Sequence, residues 1–300
     1  MMAPVDFSFA SASGRGDIIG RYWPVENPKA LMFLSHGMAE HGARYGYTAT
    51  RMNREGIAFF SHDHIGHGAS CPDGLFGYFA PRDGIDILLS DLHQTRRMME
   101  ALYPGLPVFL LGHSMGSFLA RLYIVKYDGL SGCILSGTTA GNPAMGFGKA
   151  LSRLTARKKP SKFIDRLAFS NYVKGIPRLR SAFDWLTRDD EQVRLYLEDP
   201  LCGFPFTGKG FHDLFTMIQQ ISSPDWAEKV PMDLPLLLLS GERDPVGPYK
   251  RVCEVAQRLQ AAGHENVEMR LYPGARHEIL NEINKDEVLD DIAAWIDRVL

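Results

Sequence analysis

The stretch Leu110-Leu111-Gly112-His113-Ser114-Met115-Gly116-Ser117 (LLGHSMGS) ends an apolar run with a serine that has a glycine two positions away on either side. G-x-S-x-G is the pattern of a nucleophile elbow, a sharp strand-to-helix turn that pushes the serine hydroxyl out at the top of a sheet. Glycine on both sides lowers the steric barrier to so tight a backbone. The reading predicts a strand before Ser114 and a helix after it, with Met115, Phe118, Leu119, Leu122 and Tyr123 on one face. In a chain with 29 glycines the pattern arises readily by chance, so the rest of the chain must supply what an elbow needs.

Outward from the elbow lie other short apolar runs ending in glycine, polar or histidine residues: ALMFLSHG, GIAFFSHDHIGHG, LSGCILSG, PLLLLSGERD and VEMRLYPGARH. Runs without alternation fit strands buried on both faces of a parallel sheet. FSFASAS and DIIGRYW, flanking Gly14-Arg15-Gly16, read as an N-terminal hairpin. Helical patterns separate the later runs; near the C-terminus Leu289, Ile292, Ile296 and Val299 share a face. Strands alternating with helices predict an α/β fold with a mostly parallel sheet and flanking helices.

Residues 141–230 break the alternation, showing helical patterns and no convincing buried strand. Thr187 is placed to cap a helix running to Asp199-Pro200. Thr207 precedes another, with Phe211, Leu214, Phe215, Ile218 and Ile221 at helical spacing. About ninety residues is too long for an ordinary loop. The expected organisation is therefore a core of residues 1–140 and 231–300, with a helical cap of 141–230 inserted after the sixth strand.

A serine hydroxyl attacks only if a base takes its proton, and the base must be held by a carboxylate. Asp244 follows the first core strand beyond the insertion and His277 follows the last, which gives the chain order Ser114, Asp244, His277 of an α/β-hydrolase. Glu242 competes for the acid role, but Asp244 lies deeper in its loop and is followed by Pro245. The developing oxyanion needs two backbone N–H donors. Met115 at the start of the elbow helix and Met38 after His36-Gly37 are the candidates. His62, His64 and His67 in HDHIGH nearly spell a dinuclear metal signature, but Gly66 stands where an aspartate ligand belongs. We read that segment as a glycine-rich turn with locally bonded histidines, and expect no metal and no cofactor.

Composition sets the outer bounds. The net charge of −2 argues against nucleic acid as a partner. Four scattered cysteines without a C-x-x-C pair suit reduced thiols in a cytoplasmic protein. The first residues lack the basic and apolar regions of a signal peptide, and no apolar stretch is of membrane-spanning length.

The chain resembles the monoacylglycerol lipase and lysophospholipase-like branch of the α/β-hydrolases, a group with serine aminopeptidase-type relatives. SHGMAEHGARY, DHIGHGAS, GHSMGS, SGERDPVG and GARHEIL resemble its oxyanion, histidine-turn, elbow, acid and histidine segments, with Ser117 in place of a frequent glycine. DPLCGFPFT, residues 199–207, resembles a cap segment of bacterial members. The resemblance implies an α/β-hydrolase fold and a serine hydrolase of carboxylic esters working through an acyl-enzyme. The substrate it implies is a single-chain small-molecule ester, a monoacylglycerol or lysophospholipid. Amide hydrolysis of the aminopeptidase type and a small-ester carboxylesterase are the alternatives; a binding shell that has lost its chemistry would be expected to lack a triad member. Residues 145–175 carry eight basic residues and one acid, Asp165. Beside them run two apolar stripes, Phe147-Leu151-Leu154 and Phe163-Ile164-Leu167. A cap so composed is expected either to pack its apolar face on the core or to make weak peripheral contact with an anionic membrane.

Overall fold

The computed structural model describes residues 2–141, 145–155 and 157–300, with the backbone alone at 145–147. Phe147 of the first stripe therefore lies outside the described side chains. Eight strands form one sheet: β1 (Val5–Ala10), β2 (Asp17–Trp23), β3 (Ala30–Ser35), β4 (Ile57–His62), β5 (Val108–His113), β6 (Gly132–Ser136), β7 (Leu236–Gly241) and β8 (Val267–Tyr272). Their order across the sheet is β1-β2-β4-β3-β5-β6-β7-β8. The β1–β2 and β2–β4 pairs are antiparallel; every later pair is parallel.

Strands β3, β4, β5, β6 and β7 are buried at every residue, as their unbroken apolar runs require when both faces are covered. β8 departs from that expectation. It is the sheet edge and is only partly buried, and Val-Glu-Met-Arg-Leu-Tyr alternates accordingly. Helices α1 (Gly46–Arg54) and α9 (Lys285–Val299) cover one face, where Met52, Leu289, Ile292 and Trp295 meet Phe59, Phe109 and Leu237. Helices α2 (Gly84–Leu102), α3 (Met115–Lys126) and α8 (Tyr249–Ala261) cover the other, where Leu88, Leu92, Phe118 and Val252 meet Phe33, Leu110 and Leu238.

Between β6 and β7 come α4 (Met145–Ser152), α5 (Lys162–Phe169), α6 (Asp190–Glu198) and α7 (Gly208–Ile221). Among the described residues the only strand-like pairing there is an isolated bridge between Pro160 and Thr207. α7 is capped by Thr207, whose Oγ1 accepts the Gly210 N–H at 3.1 Å. The cap of α6 is Asp189 rather than the expected Thr187. Asp189 Oδ1 accepts the Glu191 and Gln192 amides at 3.1 and 3.3 Å, while Thr187 Oγ1 donates to the Asn281 carbonyl and accepts from Asp189 N. Thr187 thus ties this segment to the loop after β8. No helix among the described residues is long and apolar enough to cross a membrane.

Candidate active site

The loops after β3, β5, β7 and β8 meet at the carboxyl ends of the parallel strands, where open α/β sheets hold their ligands. Ser114 joins β5 to α3 with φ +51° and ψ −121°, a backbone that costs a β-carbon-bearing residue about 1–3 kcal/mol. The surroundings hold it there. Ser114 N donates to the Ser136 carbonyl at 2.9 Å, and its own carbonyl accepts Ser117 N, Phe118 N and Ser117 Oγ. The flanking glycines act differently from the sequence argument. Neither Gly112 nor Gly116 has a positive φ. A β-carbon on Gly116 would lie 1.8 Å from the Ser35 carbonyl oxygen, and one on Gly112 2.6 Å from that of Gly116. The glycines admit α3 against β3 and β5; the strain sits on the serine.

His277 and Asp244 are both 2% exposed, and His277 Nδ1 lies 2.9 Å from Asp244 Oδ2. The carboxylate's other oxygen accepts the Val246 and Gly247 amides at 2.8 and 3.4 Å, which fixes its plane. Burial pulls the His277 pKa down, but the charge and hydrogen bond of Asp244 outweigh it and raise the net value above the ordinary 6.5. With Nδ1 donating to the carboxylate, Nε2 carries the lone pair, and among the described residues it has no hydrogen-bond partner. The ring packs against His113 and Trp185 at 4.8 and 5.2 Å. Glu242 is exposed and accepts the Gly274 amide instead.

Met38 and Met115 line the same cavity as Ser114 and His277. Among the described residues, neither of their amides has an acceptor. The turn that carries Met38 is built around Glu40, which accepts from Gly37 N at 2.6 Å, Tyr45 Oη at 2.8 Å and Arg44 at 2.5 Å. Arg44 reaches across to Glu278 with two bonds of 2.7 Å. One guanidinium therefore joins the turn carrying Met38 to the residue after His277. Burial would raise the Glu278 carboxyl, but Arg44 dominates and brings it to about 2. Sequence reading passed over this network as chemistry, although Glu40, Arg44 and Tyr45 all stand in the quoted SHGMAEHGARY segment. Glu278 likewise stands in the quoted GARHEIL segment, and Asp165 is marked in the sequence only as the one acid of the basic stretch; Trp185 leaves no comparable signal.

The histidine turn also differs from its sequence reading. His36, His62, His64 and His67 are buried together, with His36 and His64 ring centroids 4.2 Å apart. His62 Nδ1 bonds Thr95 Oγ1 and His64 Nε2 bonds Ser35 Oγ, both on other elements, while His36 accepts His64 N through Nε2 and bonds the carbonyl of its neighbour Gly37 through Nδ1. His67 bonds through neither ring nitrogen and stacks on Phe79. Burial lowers all four pKa values, to about 4 for His36 and about 3 for His62, so they are neutral packing at pH 7.

The cavity over Ser114 holds about 670 Å³, an ordinary size for a small-molecule site. Phe118, Phe169, Leu214, Ile218 and Val246 supply apolar wall, and helix α5 contributes Asp165. Burial raises the Asp165 pKa.

Comparison with known proteins adds a lineage. The family described as serine aminopeptidase, S33, matches residues 26–284. A monoacylglycerol lipase of Mycolicibacterium smegmatis is 29% identical, covering 97% of this chain and 96% of its own. The monoglyceride lipase of Homo sapiens is 30% identical over 93% of this chain and 86% of its own. A thermostable carboxyl esterase from Bacillus coagulans, solved in complex with glycerol, superposes with a TM-score of 0.92 at 30% identity, covering 100% of this chain and 99% of its own.

Proposed function

The chain belongs to the serine aminopeptidase S33 family of α/β-hydrolases and is a serine ester hydrolase, and from that premise we propose that it cleaves monoacylglycerols with Ser114, His277 and Asp244 as its triad. His277 Nε2 takes the Ser114 proton as Oγ attacks the ester carbonyl. The amides of Met38 and Met115 hold the resulting oxyanion. Collapse breaks the acyl C–O bond, and His277 returns the proton to the departing glycerol oxygen. Water then attacks the acyl-enzyme with His277 as base again, releasing the fatty acid and freeing Ser114. Asp244 fixes the His277 tautomer and stabilises the imidazolium that forms twice per cycle. No step calls on a cofactor.

One observation carries this reading. A strained serine, a carboxylate-held histidine and two unpartnered amides face one largely apolar cavity. Apolar wall suits a single acyl chain, and the Asp165 carboxyl can accept hydrogen bonds from the hydroxyls of a glycerol head. That same carboxyl is the observation that favours the rival, because it would also bind the free α-amine of an aminoacyl amide. The test is kcat/KM across a monoacylglycerol, a lysophospholipid, a short aryl ester and an aminoacyl amide. The monoacylglycerol should rank first. An amide ranking first would replace the lipase reading with the peptidase one.

We place the enzyme in the cytoplasm, where its four free cysteines would stay reduced, and propose that the cap touches membranes. Leu154, Phe163 and Leu167 are 84%, 67% and 52% exposed among the basic residues of 145–175, while Ile164 of the second stripe is buried. The stripe thus divides between holding the cap on the core and facing solvent.

A further inference from the structure

We propose that His41, Asp199 and Cys202 form a binding site for a soft divalent metal ion, zinc in the first instance, at the seam between the Met38 turn and the cap. One donor atom from each residue lies within 4.8 Å of the other two, a convergence found nowhere else among the described residues. Tetrahedral zinc with sulfur at about 2.3 Å and nitrogen and oxygen at about 2.0–2.2 Å needs separations of roughly 3.3–3.6 Å. His41 Nε2 and Asp199 Oδ2 now share a 2.8 Å hydrogen bond, so admitting the ion asks them to part by about half an ångström.

The local backbone presets the chelate. Asp199 ends α6, and the Cys202 amide donates to the Asp199 carbonyl at 3.0 Å, closing a turn. The D-x-x-C spacing thereby brings carboxylate and sulfur to the same side, as C-x-x-C does in zinc knuckles. Asp199 Oδ1 is held by Leu201 N at 2.8 Å, which orients Oδ2 toward His41. The third ligand comes from the core, where His41 is 8% exposed and Asp199 and Cys202 are partly open to solvent, giving the ion an entry path.

Charge favours a cation here. The nearby positive group, Arg44, is already engaged by both Glu40 and Glu278, so Asp199 leaves the neighbourhood net negative. The thiol loses its proton to solvent as sulfur takes the metal. A thiolate with an imidazole and one carboxylate selects zinc over magnesium or calcium, which prefer oxygen-only sets. Next to the site, Gly203 N and Tyr196 Oη both donate to the Ala39 carbonyl, at 2.9 and 3.0 Å. The ion would therefore clamp the 199–203 turn of the cap onto the turn that carries Met38.

The test titrates the metal-stripped full chain with cobalt(II) and reads the thiolate charge-transfer and tetrahedral d–d absorption. The wild type should saturate at one equivalent. Cys202→Ser should lose the bands, and Asp199→Asn and His41→Asn should each weaken binding by about tenfold or more. Asp199→Asn keeps a side chain able to bond His41, so it serves if the histidine variant does not fold. Zinc should also raise the melting temperature of the wild type and leave that of Cys202→Ser unmoved. Absent bands in the wild type, bands that survive Cys202→Ser, or an unchanged affinity in Asp199→Asn would each overturn the site.

Discussion

The carboxyl edge of the sheet and the helical segment above it bury their side chains in opposite ways. At the edge the charged groups that hold the site are enclosed and answered: Asp244 has three donors, Glu40 three and Arg44 two carboxylates. Removing one member there strands a charge or a strained backbone inside the protein, where each loss is large. In the segment between β6 and β7, Leu154, Phe163 and Leu167 stand in solvent among basic residues. Changes there should alter what arrives at the site and leave the chemistry at Ser114 intact. On the proposed function the sheet edge holds one geometry and the cap serves encounter.

The sharpest way to break this contrast is at the serine. Ser114→Ala should lower kcat by about 10⁴–10⁶, because triad members act as a unit, and the protein should stay folded since the alanine fills the same turn. A fluorophosphonate probe should label Ser114 in the wild type and nothing in the variant. Labelling elsewhere would move the reaction away from the elbow.

Next in size comes the acid. Asp244→Asn should cost roughly 10⁴ in kcat by presenting the wrong histidine tautomer. Glu242→Gln, changing an exposed carboxylate that only holds the Gly274 amide, should cost little. Steady-state kinetics of the two variants decide it, and the reverse order would mean that depth in the loop is not what selects the carboxylate.

How much of this was legible in the sequence follows the same division. Strands covered on both faces leave continuous apolar runs, and the site residues sit within a few positions of the strand ends, so β3 to β7 and the elbow could be read locally. Edge strand β8 is legible among those runs, but its place at the edge is not, because its partial burial follows from a sheet order that the run itself does not carry. The cap resists for a physical reason. Thr187 and Asp189 are both competent N-caps, and the choice is made by Asn281, 94 residues away, which takes the Thr187 hydroxyl. The meeting of His41 with Asp199 and Cys202 depends likewise on how the cap sits, and no spacing along the chain encodes it.

Acid should loosen the sheet edge before the cap. His36 and His62 titrate near 4 and 3 when folded and near 6.5 when unfolded, so the unfolded state binds more protons in between. Stability is full above 6.5 and falls as pH drops toward the folded values, by about 1.4 kcal/mol per unit for each histidine. From pH 6 to 5, where the unfolded imidazoles are still filling with protons, those two alone should remove about 2 kcal/mol. His277, raised by Asp244, holds its proton more firmly folded than unfolded and so opposes the trend slightly. Asp91, Asp165 and Asp213, raised by burial, oppose the trend, but five lowered core histidines, His36, His62, His64, His67 and His113, outnumber them. Denaturant unfolding at the two pH values measures the difference; equal stabilities would mean that the buried histidines are hydrated.

The smallest effect should come from the cap's charge. Arg157, Lys158 and Lys159 lie in the basic segment next to Leu154, which is 84% exposed. Each cation close to an anionic bilayer contributes about 1 kcal/mol, and added salt screens that attraction. Changing all three to glutamate should therefore weaken co-sedimentation with phosphatidylserine-containing vesicles at low salt. Hydrolysis of a water-soluble aryl ester should not change, because these side chains lie outside the Ser114 cavity. The contrast sharpens further with a vesicle-borne monoacylglycerol, on which the triple variant should lose rate through KM and keep kcat. If the aryl ester slows as well, the cap's charges act on the site itself, and the separation between chemistry at the sheet edge and encounter at the cap fails.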